Sequence, residues 1–388
     1  MSQIPSIPTA EYFDRIARFQ ANIKAAGLDA CLVHGNEADF ANVRYLTEYW
    51  PTFEAAGVFV PAEGTPVLLI GPESENYAKG RSVIPNILKM IEYRESAEPQ
   101  YPGIPVASYG DVVKAAMGDR PLKKLGLVGY SIMTLPVYFG LQKQLPGVEL
   151  IKADETLLPL RFIKSENELR CMRRAFEISE LALDAIFAEA KVGMTEFELI
   201  GIAQREIYRH GGEYEGHALY CSCGERTNNA ICRPTAKKLE AHEVIQLNIG
   251  ARVGGYSSSV GLPFSFGKLP EEKARLVEFG LKAHKKTISL LKGGKPAGDV
   301  VREYEEWVKQ EGFADYLLYG PCHAIGMMEV EQPWMESVSE YKLQKNMTFQ
   351  VDTFFTGKTF GLRWENGVVI TEDGAEVLSN RYMKIVEL

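Results

Sequence analysis

One histidine and two acids stand in surroundings that set them apart from ordinary surface groups. His323 lies in YGPCHAIGMMEVEQPW beside a small-residue turn at Gly326, Asp352 in the apolar run FQVDTFF, and Glu365 in LRWENGV. A carboxylate in a run such as FQVDTFF has to be paired, coordinated or placed at an edge, because burying it alone is costly. Arg363 and Glu365 are two apart, so on a strand they project from one face. Each residue also has a plainer explanation: a satisfied turn histidine, or a surface ion pair of little worth. Taken together near polar loops, a histidine and two acids point to a site for acid–base work or for a cation.

A second polar stretch, CSCGERTNNAICRPT, carries Cys232. A cysteine there acts as nucleophile or acid if Arg233 or His323 lowers its pKa; otherwise it is a small loop filler. Cys221 and Cys223 share one face of a strand. Two small buried residues explain that as well as zinc does, since structural zinc needs four ligands at recognisable spacing.

The elements that must position these groups can be read from periodicity. Residues 10–28 repeat apolar side chains at helical spacing through Tyr12, Phe13, Ile16, Phe19 and Ile23, and Gly27 ends the pattern. DACLVHG reads as a buried strand, AAGVFVPAEGTPVLLIG as a hairpin around Glu63 and Gly64, and KKLGLVGYS as another strand. Strands alternating with helices predict a small α/β domain over residues 1–158. At LRFIKSENELRCMRRAFEIS the character changes. Ser165 and Glu168 form a capping-box pattern ahead of a long amphipathic helix, and Thr195 is placed to cap a second. Strand signals over 217–267, helices near 270–292 and 297–312, and strands again from 348 give an α+β second domain over residues 159–388. Asp352 and Glu365 should face each other across a hairpin.

The order and spacing of these motifs resemble the pita-bread family of methionine and proline aminopeptidases, prolidase and creatinase. The resemblance covers nearly the whole chain, with GLDACLVHGNEADFANVRYLTEYW similar to the family's amino-terminal domain. It implies a curved, mostly antiparallel catalytic sheet covered on one side by helices. In metal-dependent members two aspartates, a histidine and two glutamates hold two divalent ions. The matching positions here are Asn248 in QLNIG, Ser259 in GYSSSV, His323, Asp352 and Glu365. Neutral Asn and Ser donors do not offset the dehydration of hard cations, so the expected site has no metal and no other cofactor. That pattern is similar to the metal-free creatinase branch, where a loop histidine matches Cys232, or Ile231 with a one-residue slip.

The expectation is therefore a metal-independent hydrolase that cleaves a C–N bond of a small nitrogenous metabolite. His323, Asp352, Glu365 and Cys232 would be catalytic. Arg363, Glu331, Asn248, Ser259 and Phe53 would bind substrate, with Arg363 either holding Glu365 ionised or gripping a carboxylate. Glu331 is favoured over Glu329 because the family has a second functional group seven or eight residues after its histidine. The alternatives are a divalent-metal Xaa-Pro aminopeptidase or prolidase, and a catalytically inactive binding protein of the same fold. By the same resemblance the chain is expected to be a homodimer, with Phe53 and its neighbours in YLTEYWPTF reaching the partner's site.

Composition limits the partners. The 388 residues carry a formal net charge of −8, which argues against nucleic acid or an anionic membrane. No apolar run approaches the roughly 20 residues of a membrane span. The first residues lack a basic and apolar leader, and the six scattered cysteines do not look like a disulfide framework. A reducing cytoplasm is the expected compartment.

Overall fold

The helical spacing near the start of the chain is realised in α1 (Thr9–Ala25), which buries Tyr12, Ile16, Phe19 and Ile23. Phe13 is on the other face and half exposed. The computed structural model describes residues 4–388. They form two compact units, one of residues 7–161 and one of residues 162–388 with 4–6.

In the first unit β1 (Ala30–Gly35), α2 (Ala41–Thr47), β2 (Ala56–Pro61) and β3 (Val67–Ile70) are followed by α3 (Glu75–Arg81) and β4 (Ile87–Lys89). Then come α4 (Tyr109–Met117), β5 (Lys124–Val128), α5 (Leu135–Gln144) and β6 (Glu149–Lys152). The six strands are ordered β4-β3-β2-β1-β5-β6. β1, β2 and β3 pair antiparallel, which realises the hairpin around Glu63 and Gly64, while β5 and β6 continue in parallel. The aromatic run YLTEYWPTF is mostly packed inside this unit. Tyr45, Leu46 and Tyr49 are buried, and of the run's aromatic residues Phe53 alone stands largely exposed, at 84%. The run therefore leaves no broad apolar patch uncovered.

The second unit opens with α6 (Glu166–Glu189) and α7 (Glu196–Arg209). Ser165 and Thr195 cap them with full capping boxes to Glu168 and Glu198, satisfying backbone N–H groups that a helix start leaves orphaned. The strands follow as β7 (Tyr214–Glu215), β8 (Tyr220–Cys223), β9 (Ile245–Ile249), β10 (Ala251–Val253), β11 (Tyr256–Ser257) and β12 (Val260–Ser265). After α8 (Glu271–Leu290) and α9 (Ala297–Gln310) come β13 (Cys322–Ala324), β14 (Glu331–Met335), β15 (Thr348–Thr356), β16 (Gly361–Ile370), β17 (Ala375–Val377) and β18 (Val386–Glu387).

The main sheet runs β14-β13-β15-β16-β12-β9-β8, with β17 on β16 and β18 on β12. Its ladder is antiparallel throughout except at β18. α8 packs on β15 and β16. A Cβ at Gly280 would lie 2.5 Å from Leu362 and 3.1 Å from Trp364, so glycine there lets the helix settle onto the sheet. Among the described residues, no helix is long and apolar enough to cross a membrane.

Candidate active site

Strand register gathers the polar residues into a row. Asp352 on β15 faces Glu365 on β16, Glu365 faces Gly261 on β12, Gly261 faces Asn248 on β9, and Asn248 faces Tyr220 on β8. Side chains directly opposite across a ladder share a face, so one residue pair fixes the rest. Gly261 is what allows the row to close. A Cβ there would come within 2.5 Å of Asn248 Nδ2 and 2.7 Å of Glu365 Cβ. His323 enters from β13 opposite Gln350, next to a register shift at Ala324. The turn between β13 and β14 brings Glu329 alongside it.

These groups line a cavity of about 310 Å³ whose wall includes His217, Ser259, His323, Glu329, Asp352, Arg363 and Glu365. Two clusters divide it. In the first, His323 Nε2 lies 3.5 Å from Glu329 Oε1, and its Nδ1 is 3.1 Å from the Ala324 carbonyl. Since a carbonyl only accepts, Nδ1 carries the proton and Nε2 faces the acid. Glu329 and Glu365 are hydrogen-bonded to each other, and Asn248 Nδ2 donates to Glu365 Oε2. Burial raises the pKa of both carboxyls, and for Glu365 the Glu329 and Asp352 charges raise it further. Two carboxyls this close cannot both ionise easily.

In the second cluster Arg363 Nε is 3.0 Å from Asp352 Oδ1. Tyr319 bridges them, donating to Asp352 Oδ2 at 2.7 Å and accepting from Arg363 at 2.6 Å. Arg363 also donates to the Ala230 carbonyl at 2.8 Å. Burial works against the guanidinium charge, but Asp352, Tyr319 and Glu365 outweigh it and hold its pKa above the ordinary value.

Several expected roles change. Arg363 pairs with Asp352 rather than Glu365, because Tyr319 and Asp352 together reach its guanidinium. Glu331 accepts from the Met328 amide at 2.9 Å and lies 3.8 Å from Lys164 rather than on the cavity wall. The turn geometry gives the position beside His323 to Glu329 instead. The 221–235 loop lines the cavity through Ala230 and Ile231. Cys232 is half-buried in the same loop, and burial pushes its thiol up rather than down. Phe53 belongs to the first unit, where its amide donates to Glu37 at 3.0 Å.

Asn248 stands in the row and Ser259 on the cavity wall, and both are buried. His217, Tyr220, Tyr319 and Trp334 line the cavity as well and were not legible as site residues. His217 and Tyr319 lie outside the strands and Tyr220 and Trp334 on the edge strands β8 and β14, and only the tertiary fold brings them together.

The chain belongs to metallopeptidase family M24. The family's sequence profile matches residues 170–372, and that of the creatinase/prolidase N-terminal domain matches residues 15–163. The chain is 24% identical over 362 residues to an Xaa-Pro dipeptidase of Pyrococcus horikoshii, covering 92% of this chain and 95% of that protein. To an Xaa-Pro dipeptidase of Pyrococcus furiosus it is 23% identical over 291 residues, covering 74% and 82%. In three dimensions it resembles an X-Pro aminopeptidase from Thermotoga maritima, with a TM-score of 0.82 at 21% identity over 96% of this chain and 99% of that one. The prolidase from Pyrococcus horikoshii matches with the same TM-score and identity over 96% and 100%.

The family name implies metal, and the donor set can be tested against a two-ion centre. Asn248 offers its N–H to Glu365, while its Oδ1 already accepts from Gln246 at 3.1 Å. Ser259 supplies a neutral hydroxyl. Asp352 is engaged by Arg363 and Tyr319, and the guanidinium already brings a positive charge among the acids. Two divalent ions do not fit this set. His323, Glu329 and Glu365 are different: their ligand atoms lie within 4.8 Å of one another, a donor set and spacing suited to a single ion.

Proposed function

We propose that this protein hydrolyses an amide-type C–N bond in a small peptide or related nitrogenous metabolite, using its carboxyl pair and histidine in place of a two-ion centre. The observation that carries this reading is the contact of Glu329 with both Glu365 and His323 at the cavity wall. A carboxyl pair that holds one proton offers a base and an acid at once. The ionised member takes a proton from the attacking water as its oxygen bonds to the carbonyl carbon. The protonated member delivers its proton to the leaving nitrogen as the C–N bond breaks. His323 Nε2, beside Glu329, shares and redistributes that proton. Relatives named Xaa-Pro dipeptidase and X-Pro aminopeptidase support hydrolysis as the reaction type.

A second reading is a divalent-metal Xaa-Pro dipeptidase, favoured by the spacing of His323, Glu329 and Glu365. Turnover of Xaa-Pro dipeptides, other dipeptides, creatine, ureido acids and betaines, measured with EDTA and with added Mn²⁺, Co²⁺ or Zn²⁺, separates the two. Turnover that survives chelation supports the proton-based reading. Turnover that needs a stoichiometric ion supports the second. No turnover of any compound would leave a binding protein and overturn both. A cytoplasmic homodimer is part of the proposal, to be checked by light scattering.

A further inference from the structure

Among the described residues, and apart from the Asp352–Arg363 ion pair, two buried polar atoms of residues lining the cavity have no hydrogen-bond partner: His217 Nε2 and Ser259 Oγ. Buried polar groups are nearly always satisfied, so an unsatisfied one calls for an explanation. His217 follows β7 and approaches the segment between β9 and β12. A Cβ on Gly250 would lie 2.8 Å from the His217 ring and 2.1 Å from the Ser258 carbonyl. Glycine at 250 thus keeps space for the ring close to the backbone that carries Ser259. Ser259 is 1% exposed, and its carbonyl accepts from Gln350 at 2.6 Å, which fixes the backbone behind the hydroxyl.

The tautomer of His217 is set by its neighbours. Nδ1 is 2.7 Å from the Ala218 carbonyl, so Nδ1 carries hydrogen and Nε2 presents a lone pair. Burial, with Arg363 and Arg252 adding to it, lowers its pKa to about 4. The ring is therefore neutral at physiological pH, an acceptor rather than a donor at Nε2. Ser259 can donate or accept. Neither group takes part in the proton transfers assigned to Glu329, Glu365 and His323.

We propose that His217 and Ser259 form the substrate-binding subsite of this cavity, with His217 Nε2 accepting from a substrate N–H and the Ser259 hydroxyl donating to an adjacent carbonyl. The ligand class is a primary or secondary amide or urea, whose N–H and C=O present a donor beside an acceptor. A nitrogen bearing only carbon leaves the His217 lone pair buried and unpaired, and sites built to hydrogen-bond a group reject analogues that lack it. This deepens the hydrolase reading by naming the group that is held, but binding can be tested without turnover.

The test uses the full chain labelled with ¹⁵N-histidine, titrated with N,N′-dimethylurea and with tetramethylurea, which keeps the carbonyl and lacks N–H. His217 is assigned by loss of its signal in His217→Gln. The expected result is an unprotonated Nε2 in the free protein that shifts with dimethylurea. Dimethylurea should bind about 10- to 100-fold more tightly than tetramethylurea, the scale for leaving one buried acceptor unpaired. In His217→Leu that preference should vanish, and Ser259→Ala should weaken both ureas. A protonated Nε2, or equal responses to the two ureas, or no response to dimethylurea, overturns the proposal even if the protein proves to be a hydrolase. If the variants fail to fold, the comparison of the two ureas on the wild-type chain still decides.

Discussion

The Asp352–Arg363 pair should behave as a single unit of stability, and a double-mutant cycle tests this. At 3.0 Å the gross attraction is about 5 kcal/mol at an effective dielectric constant of about 20. Desolvation offsets much of it, so the intact pair adds little over an apolar replacement. Breaking it is another matter. Asp352→Leu strands a guanidinium whose side chain is only 11% exposed, at a cost of about 3–5 kcal/mol. Arg363→Met should be the worse variant, because it leaves the buried Asp352 carboxyl unpaired beside the Glu329–Glu365 pair and also removes the donors to Ala230 and Tyr319. The double variant Asp352→Leu/Arg363→Met should be less damaging than the two losses summed, by about 3 kcal/mol. Denaturant melts followed by tryptophan emission suit the measurement, since Trp307, Trp334 and Trp364 all lie in the second unit. In a unit of this size, each single variant should lower Tm by roughly 10 °C. If the two single losses add to within about 0.5 kcal/mol of the double, the pair is not coupled and the division of the cavity into two clusters is mistaken.

Replacing His323 by Ala should lower turnover by at least about 10²-fold with an unchanged melting temperature, whereas Cys232→Ser should leave turnover little changed. The folded state holds the Glu329 and Glu365 pKa values above the ordinary 4.5, so it binds protons more tightly than the unfolded chain. The stability this provides is complete below the ordinary carboxylate range and declines as pH rises through the raised values. Melts between pH 4 and 9 should show that decline in wild type and a flatter profile in Glu329→Gln; a steeper profile in the variant would contradict the shared proton. Elemental analysis should find well under one equivalent of Mn, Fe, Co, Ni or Zn. The pair Asn248→Asp with Ser259→Asp should gain metal binding, and an unmodified protein with tightly bound stoichiometric metal would reverse the assignment.

Much of the architecture could be read from local pattern alone. Ser165 with Glu168 and Thr195 with Glu198 mark helix starts because the capping box lies within four residues. The Asp352–Glu365 facing pair follows from strand alternation across one hairpin. Convergence of Asn248, Ser259, His323 and Glu365 was legible only through resemblance, since no local rule joins residues a hundred positions apart. What escaped depended on irregular geometry. The choice between Glu329 and Glu331 turned on a register shift at Ala324 and the turn before β14, which alternation cannot anticipate. The pairing of Arg363 with Asp352 has no local signal because Tyr319, the third member of its cluster, lies outside any strand. His217 had no periodic signal at all; its place in the cavity depends on Gly250 having no side chain.

The catalytic sheet is made from two stretches of chain that are far apart in sequence. β8, β9 and β12 come from residues 220–265, β13 to β16 from residues 322–370, and α8 and α9 lie between them. The halves meet where Gly261 faces Glu365. A cut in the 291–296 connection would put His217, Asn248 and Ser259 on one fragment and His323, Asp352 and Glu365 on the other. Each fragment would carry half of the cavity's chemistry and an unpaired sheet edge complementary to the other's. Fused to two separate binding partners, the fragments would report their association by regained turnover, with signal appearing only where the partners bring the two edges together.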